Sequence, residues 1–73
     1  MTTAEAEILA TLEQLETAVA QMRTANPKPD LRPLFAKLDE LTKALPKDSD
    51  RQLLHFLHNK SYEKAQQWLE AQR

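Results

Sequence analysis

The chain of 73 residues contains no glycine and no cysteine. Glycine provides the positive φ angles that tight β-hairpin turns and phosphate-binding loops require, so its absence argues against both structures. Without cysteine, the chain can form neither a disulfide nor a thiolate metal site. A domain of this length also buries only a small core. Its stability must therefore come from helix packing, from a partner or from self-association.

The chain also lacks an excess of charge of either sign, because 10 basic and 11 acidic residues leave a formal charge of −1. A dedicated nucleic-acid-binding domain normally has a basic surplus, so we expect no nucleic-acid partner. No apolar run approaches the roughly 20 residues that a membrane span needs. The N-terminal region carries Glu5 and Glu7 and lacks the basic start of a secretion signal. We therefore expect a cytoplasmic protein with no membrane partner.

Strong helix formers (alanine, leucine, glutamate, glutamine and lysine) dominate the composition instead. They predict an all-α fold, and the length suits a single domain over residues 1–73. We expect a small antiparallel bundle of four helices, two long and two short. The predicted helices lie at about 3–25, 31–45, 50–58 and 62–72.

The first predicted helix has a long apolar stripe and an acidic body. Apolar residues recur at steps of four and three, which is the spacing of one helix face. These residues are Ile8, Leu12, Leu15, Val19 and Met22. Leu9 lies about a quarter turn away and widens that face. Thr2 and Glu5 have the spacing of a capping box, and four glutamates precede the first basic residue, Arg23.

Polar residues mark the boundaries of the other predicted helices. Asp30 is the predicted N-cap of the second helix, and Ser49 has capping-box spacing with Gln52 at the start of the third. Asn59 is the predicted left-handed residue at the end of the third helix, since no glycine is available for that position. Ser61 is the predicted N-cap of the fourth helix.

The surface of the first helix is the main candidate for binding a partner. Its acidity indicates either a simple solvated face or a docking surface for a basic partner. Because the stripe has a 3.5-residue period, part of it, with Leu9, could pack against a second copy, so a homodimer stays open. Trp68 lies at the edge of the fourth helix and is a further candidate. The predicted interaction surface consists of Leu9, Leu12, Glu13, Glu16 and Trp68.

The order of features along about three quarters of the chain resembles a known helical segment. The features are, in order, Leu15, Met22, Arg23, Asn26-Pro27-Lys28, Leu34, Leu38, Leu41, Pro46, Leu53, Leu57, Tyr62-Glu63-Lys64-Ala65 and Leu69-Glu70. This order resembles the C-terminal segment of bacterial hybrid sensor histidine kinases and multidomain response regulators. The resemblance implies a non-catalytic accessory of phosphorelay signalling, with a sensor kinase or response regulator as partner. The chain departs from it by having its own starting methionine and no attached kinase or receiver domain.

Two histidines invite chemical hypotheses. Histidine phosphotransfer domains carry an exposed helical histidine, which His55 resembles, although His58 and Asn59 replace the lysine and glycine that follow in those domains. His55 and His58 have no third ligand fixed nearby by spacing, so we expect no metal site. No buried acid–base pair can be placed either. We therefore expect neither a cofactor nor enzyme activity.

Three hypotheses of function stay open. The first is a non-catalytic helical protein–protein interaction module that is an accessory or regulator in two-component signalling. The second is a small histidine phosphotransfer protein that uses His55 as phosphoacceptor. The third is a structural fragment of a larger assembly.

Overall fold

The computed structural model describes residues 2–24, 30–46 and 48–72 and places four α-helices within them. Helix α1 spans Thr3–Gln21, α2 spans Arg32–Ala44, α3 spans Arg51–His58 and α4 spans Tyr62–Ala71. The described residues contain no strand. The prediction of a small all-α bundle is confirmed. The Asn26-Pro27-Lys28 part of the resemblance lies outside the described residues.

Helix α1 is the element on which the bundle is built. It packs against both α2 and α4, while α3 packs against α4 and α2. With 19 residues α1 is the longest of the described helices, at about 28 Å, whereas the 10 residues of α4 cover about 15 Å. Because α4 is shorter than the helix it covers, part of α1 is left without a neighbour on that side.

The core is formed by aliphatic side chains from all four helices and from the residue after α2. Its members are Ile8, Leu9, Leu12, Leu15, Leu38, Leu45, Leu53, Leu57, Ala65 and Leu69. The buried polar residue Thr11 donates its hydroxyl hydrogen to the backbone carbonyl of Glu7 at 2.8 Å, so its burial leaves no group unsatisfied. The predicted apolar stripe of α1 is buried as far as Leu15, but Val19 is 49% exposed.

Side-chain caps define where α1 and α3 begin. The predicted capping box of α1 is confirmed, since the Glu5 amide donates to Thr2 Oγ1 at 3.2 Å and the Thr2 amide donates to Glu5 Oε1 at 3.1 Å. The predicted Ser49 cap of α3 is wrong by one residue. Asp50 is the N-cap, and its carboxylate accepts from the amide of Gln52 at 2.8 Å. A carboxylate there also interacts favourably with the positive end of the helix dipole.

The start of α2 also differs from the prediction by one residue. Leu31 is the N-cap, with helical backbone angles, and Asp30 precedes it. The Asp30 carboxylate nevertheless accepts from the backbone amide of Arg32 at 3.0 Å. It also forms an ion pair with the Arg32 guanidinium at 2.9 Å. The aspartate therefore still satisfies a donor of the first turn from outside the helix.

A Schellman turn joins α3 to α4. The Ser61 amide donates to the Phe56 carbonyl at 2.8 Å and the Lys60 amide donates to the Leu57 carbonyl at 3.1 Å. In this motif the left-handed residue is the one after the C-cap, and Lys60 occupies it with a φ of 57°. The prediction of Asn59 is wrong, because Asn59 is the C-cap and has a φ of −88°. Ser61 is the N-cap residue of α4, but its side chain makes no capping hydrogen bond.

Replacing Lys60 with glycine is expected to stabilise the protein. A residue with a Cβ loses roughly 1–2 kcal/mol in the left-handed conformation, and glycine does not, although its unfolded chain is more flexible. We expect Lys60→Gly to raise the free energy of unfolding by about 0.5–1 kcal/mol in urea titrations followed by circular dichroism. Asn59→Gly is the matched control and should lower it. If both variants are destabilised, the turn is not as described.

Truncating Leu9 should remove much of the stability of the domain. Leu9 is 1% exposed within the core, and a buried leucine replaced with alanine loses roughly 2–5 kcal/mol. The control is Val19→Ala on the same helix, which should change the free energy of unfolding by about 0.5 kcal/mol. Equal urea midpoints for the two variants would mean that Leu9 lies outside the core.

Candidate protein-interaction groove

A groove of about 440 Å³ lies between α1 and α4. Its apolar lining consists of Leu12, Leu15, Val19 and Tyr62. Its polar lining consists of Glu16, Glu63, Gln66, Gln67 and Glu70. No lysine, arginine or histidine of the described residues lines the groove. The groove therefore combines an apolar floor with a rim that carries three carboxylates.

The floor of the groove is the continuation of the core face of α1. Leu12, Leu15 and Val19 follow one another at steps of three and four, so they lie along one side of the helix. The first two are 1% and 6% exposed, whereas Val19 is 49% exposed. The face that α4 turns toward this part of α1 is polar, because positions 63, 66, 67 and 70 share one side of α4. The apolar face of α1 is therefore buried at Leu12 and Leu15 and becomes exposed in the groove at Val19.

Gln66 connects the two walls of the groove. Its amide nitrogen donates both to the carboxylate of Glu16 on α1 and to Glu70 Oε1 on α4, the latter at 3.1 Å. Two carboxylates from opposite helices therefore accept from the two N–H groups of one neutral amide. Glu70 also lies in the last turn of α4, which has no basic residue. A carboxylate is electrostatically unfavourable at that end of a helix.

Tyr62 joins the groove to a second exposed apolar side chain. Its ring stacks on that of Phe35 with centroids 5.9 Å apart and an interplanar angle of 27°. Val19 and Phe35 are the two large apolar side chains of the described residues that are exposed, at 49% and 39%. Val19 lines the groove together with Tyr62, and Phe35 stacks on the tyrosine ring. Together, Val19, Tyr62 and Phe35 form an apolar strip across α1, α4 and α2.

The predicted interaction surface corresponds only in part to this groove. Leu9 and Leu12 are each 1% exposed, so the structure places both side chains in the core and not on the outer surface of α1. The physical reason is that α2 and α4 both pack on α1 and cover its apolar face. Leu12 contributes only to the groove floor and Glu16 to its rim. Glu13 is exposed outside the groove, and Trp68 is half-buried against the core.

Several residues of the groove were not in the predicted surface. Val19 belongs to the predicted stripe, but the sequence does not reveal how far along α1 the neighbouring helices cover that stripe. Tyr62 is half-buried on α4 and also lines the groove. Glu63, Gln66 and Glu70 recur at helical spacing, which could have indicated a single polar face. Which helix that face meets depends on the packing.

His55 is exposed on α3, and the amide nitrogen of Asn59 lies 3.2 Å from each of its ring nitrogens. Helix α3 ends three residues later, at His58. The role of His55 as a phosphoacceptor stays a prediction. Among residues 2–24, 30–46 and 48–72, no three histidine, aspartate or glutamate side chains are grouped so that they could hold a metal ion.

The chain matches no protein-family model, no curated protein and no solved structure. Within the described part of the chain, every helix is too short or too polar to span a bilayer. A functional proposal must therefore be supported by the geometry of the groove and by the order of features in the sequence.

The surroundings of Tyr62 can be tested by alkaline titration. Burial raises the pKa of Tyr62 above its ordinary value of 10.0, and the negative charge of Asp39 raises it further. Because Tyr62 is the only tyrosine, the ultraviolet absorbance of tyrosinate reports this group alone. We expect Asp39→Asn to lower the pKa while leaving it above the ordinary value, since burial remains. Glu40→Gln is the neighbouring control and should not change it.

The same shift predicts a loss of stability in alkali. The folded state holds the phenolic proton more strongly than the unfolded state does, so this contribution to stability is complete below about pH 10. It is lost as the pH rises through the higher folded-state pKa.

In the titration of Tyr62, a wild-type midpoint equal to that of Asp39→Asn would show that Asp39 does not act on the tyrosine.

Proposed function

We propose that this protein is a non-catalytic helical interaction module that binds a protein partner through the groove between α1 and α4. The observation that carries the proposal is the groove itself, in which a half-exposed Val19 and a half-buried Tyr62 lie below a rim of three carboxylates. An apolar centre with a polar rim is the usual anatomy of a protein–protein contact. The groove is preformed by two packed helices, so binding need not order it.

The apolar strip gives such a contact its driving force. Burying a valine or phenylalanine side chain fully contributes roughly 1.5–3 kcal/mol. Val19 and Phe35 are still 49% and 39% exposed in the folded chain. A partner that covered both would gain a part of that free energy from each. Tyr62 lines the groove with Val19 and stacks on Phe35, and it is an aromatic residue of the kind that is enriched in such contacts.

We further propose that the partner is a sensor histidine kinase or a response regulator and that the protein is an accessory or regulator in the bacterial cytoplasm. The support for this assignment is the resemblance in the order of features from Leu15 to Glu70. The positions of that resemblance include Tyr62, Glu63 and Glu70, which line the groove. The proposed contact surface and the resembling segment thus share residues.

Site-specific photo-crosslinking in the cells that make the protein tests both parts. A photoreactive amino acid at Gln67, which is exposed and lines the groove, should give a discrete covalent adduct. Mass spectrometry should identify the adduct as a sensor kinase or a response regulator. The control is the same amino acid at Arg51, which is exposed on α3 and does not line the groove.

The outcomes separate the two parts of the proposal. An adduct with an unrelated protein, formed at Gln67 and not at Arg51, would retain the interaction module and reject the signalling assignment. No adduct at Gln67, or the same adducts at both positions, would reject the groove as a binding site.

A further inference from the structure

The size of the groove limits what can occupy it. Its lining runs from Leu12 to Val19 on α1 and from Tyr62 to Glu70 on α4. At 1.5 Å per residue these segments are about 10 Å and 12 Å long, which is close to two turns of an α-helix. An amphipathic helix placed along the groove would therefore present two successive turns to it. Its apolar residues would recur at i, i+3 or i+4 and cover Val19 and Tyr62 in the groove.

The charge of the rim selects the polar face of that helix. Glu16, Glu63 and Glu70 line the groove, and Asp39 is close enough to act on Tyr62. Helix α1 contains four glutamates and no lysine or arginine. A partner with lysine or arginine beside its apolar residues would complement these charges, whereas an acidic one would be repelled.

The rim also contains an electrostatic conflict that a cation would relieve. Glu16 and Glu70 both accept from the neutral side-chain amide of Gln66, and no basic side chain of the described residues lies in the groove. Glu70 is in addition placed at the negative end of the α4 dipole. An arginine or lysine placed between these two carboxylates would form charge-assisted hydrogen bonds that Gln66 cannot provide.

A second copy of the chain is a poorer occupant of the groove. In a two-fold contact the same patch meets itself. The glutamates of one rim would then face those of the other, and like charges placed opposite each other disfavour association.

We infer that the groove between α1 and α4 recognises a basic amphipathic helix, with aliphatic side chains against Val19 and Tyr62 and lysine or arginine against Glu16 and Glu70. The inference rests on the proposed function, because it names the chemistry of the partner segment that the groove binds.

The test uses three labelled peptides of about 14 residues, or four helical turns. The first has leucines at i, i+3 or i+4 spacing and lysines and arginines elsewhere. The second replaces every basic residue with glutamate, and the third has the composition of the first with the helical spacing scrambled. Fluorescence anisotropy measures the affinity of the full chain for each. We expect the first peptide to bind at least about tenfold more tightly than the others, with the difference falling as salt is added.

Matched variants locate the binding site. Glu70→Lys should weaken binding of the basic peptide about tenfold, since it replaces an attraction with a repulsion. Because a lysine is favourable at the C-terminal end of α4, this variant should still fold. The control is Glu7→Lys, which makes the same charge change on an exposed residue outside the groove. Val19→Ser should also weaken binding, while Ala20→Ser at the next exposed position should not.

Several results would overturn the inference. Equal losses for Glu70→Lys and Glu7→Lys would mean that the peptide responds only to overall charge. Equal binding of the scrambled peptide would reject a helical partner. A dimer in light scattering that Val19→Ser dissociates would assign the groove to a second copy. A specific Gln67 adduct without peptide binding would reject the basic helix and retain the interaction module.

Discussion

The packing of α2 and α4 on the first four turns of α1 is the constraint on which the structure depends. The chain has no cysteine for a disulfide, and α1 supplies Ile8, Leu9, Leu12 and Leu15 to the ten core residues found in the described part of the chain. A domain of this size gains only about 3–5 kcal/mol of net stability from such a core. Each of these side chains therefore represents a large share of the total. Leu9 is therefore needed in the core and does not form part of an outer contact surface.

Periodicity in the sequence was sufficient to predict four helices and their order, because helix propensity and the spacing of apolar residues are local properties. Cap positions were less predictable. Ser49 and Asp50 are adjacent, both are good N-cap residues, and only the backbone geometry shows that Asp50 is used. Asn59 and Lys60 are also adjacent, and residue preference favours Asn59 for the left-handed position. There the Schellman hydrogen bonds, and not residue preference, determine which residue adopts the left-handed conformation.

The candidate site was predictable only in part, for a different reason. Leu15 and Val19 belong to the same stripe and read alike in sequence, but α4 covers one and leaves the other half exposed. The difference depends on where a ten-residue helix lies along a helix of 19 residues, which no local pattern encodes. The acidity of the first helix was recognisable in the sequence. That α4 adds Glu63 and Glu70 to the same rim depends on tertiary packing.

The groove is also the place where the chain departs from the choices that would best stabilise it. A polar residue in place of Val19 would remove an exposed apolar side chain, and a basic residue in place of Glu70 would suit the last turn of α4. Elsewhere several positions follow such rules, since Thr2, Glu5 and Asp50 cap their helices and the buried hydroxyl of Thr11 is satisfied, although Lys60 holds a left-handed position that glycine would suit better. Departures from local stability tend to occur at functional sites. Both departures lie in one groove and are relieved by one kind of ligand, so a single binding role explains them together.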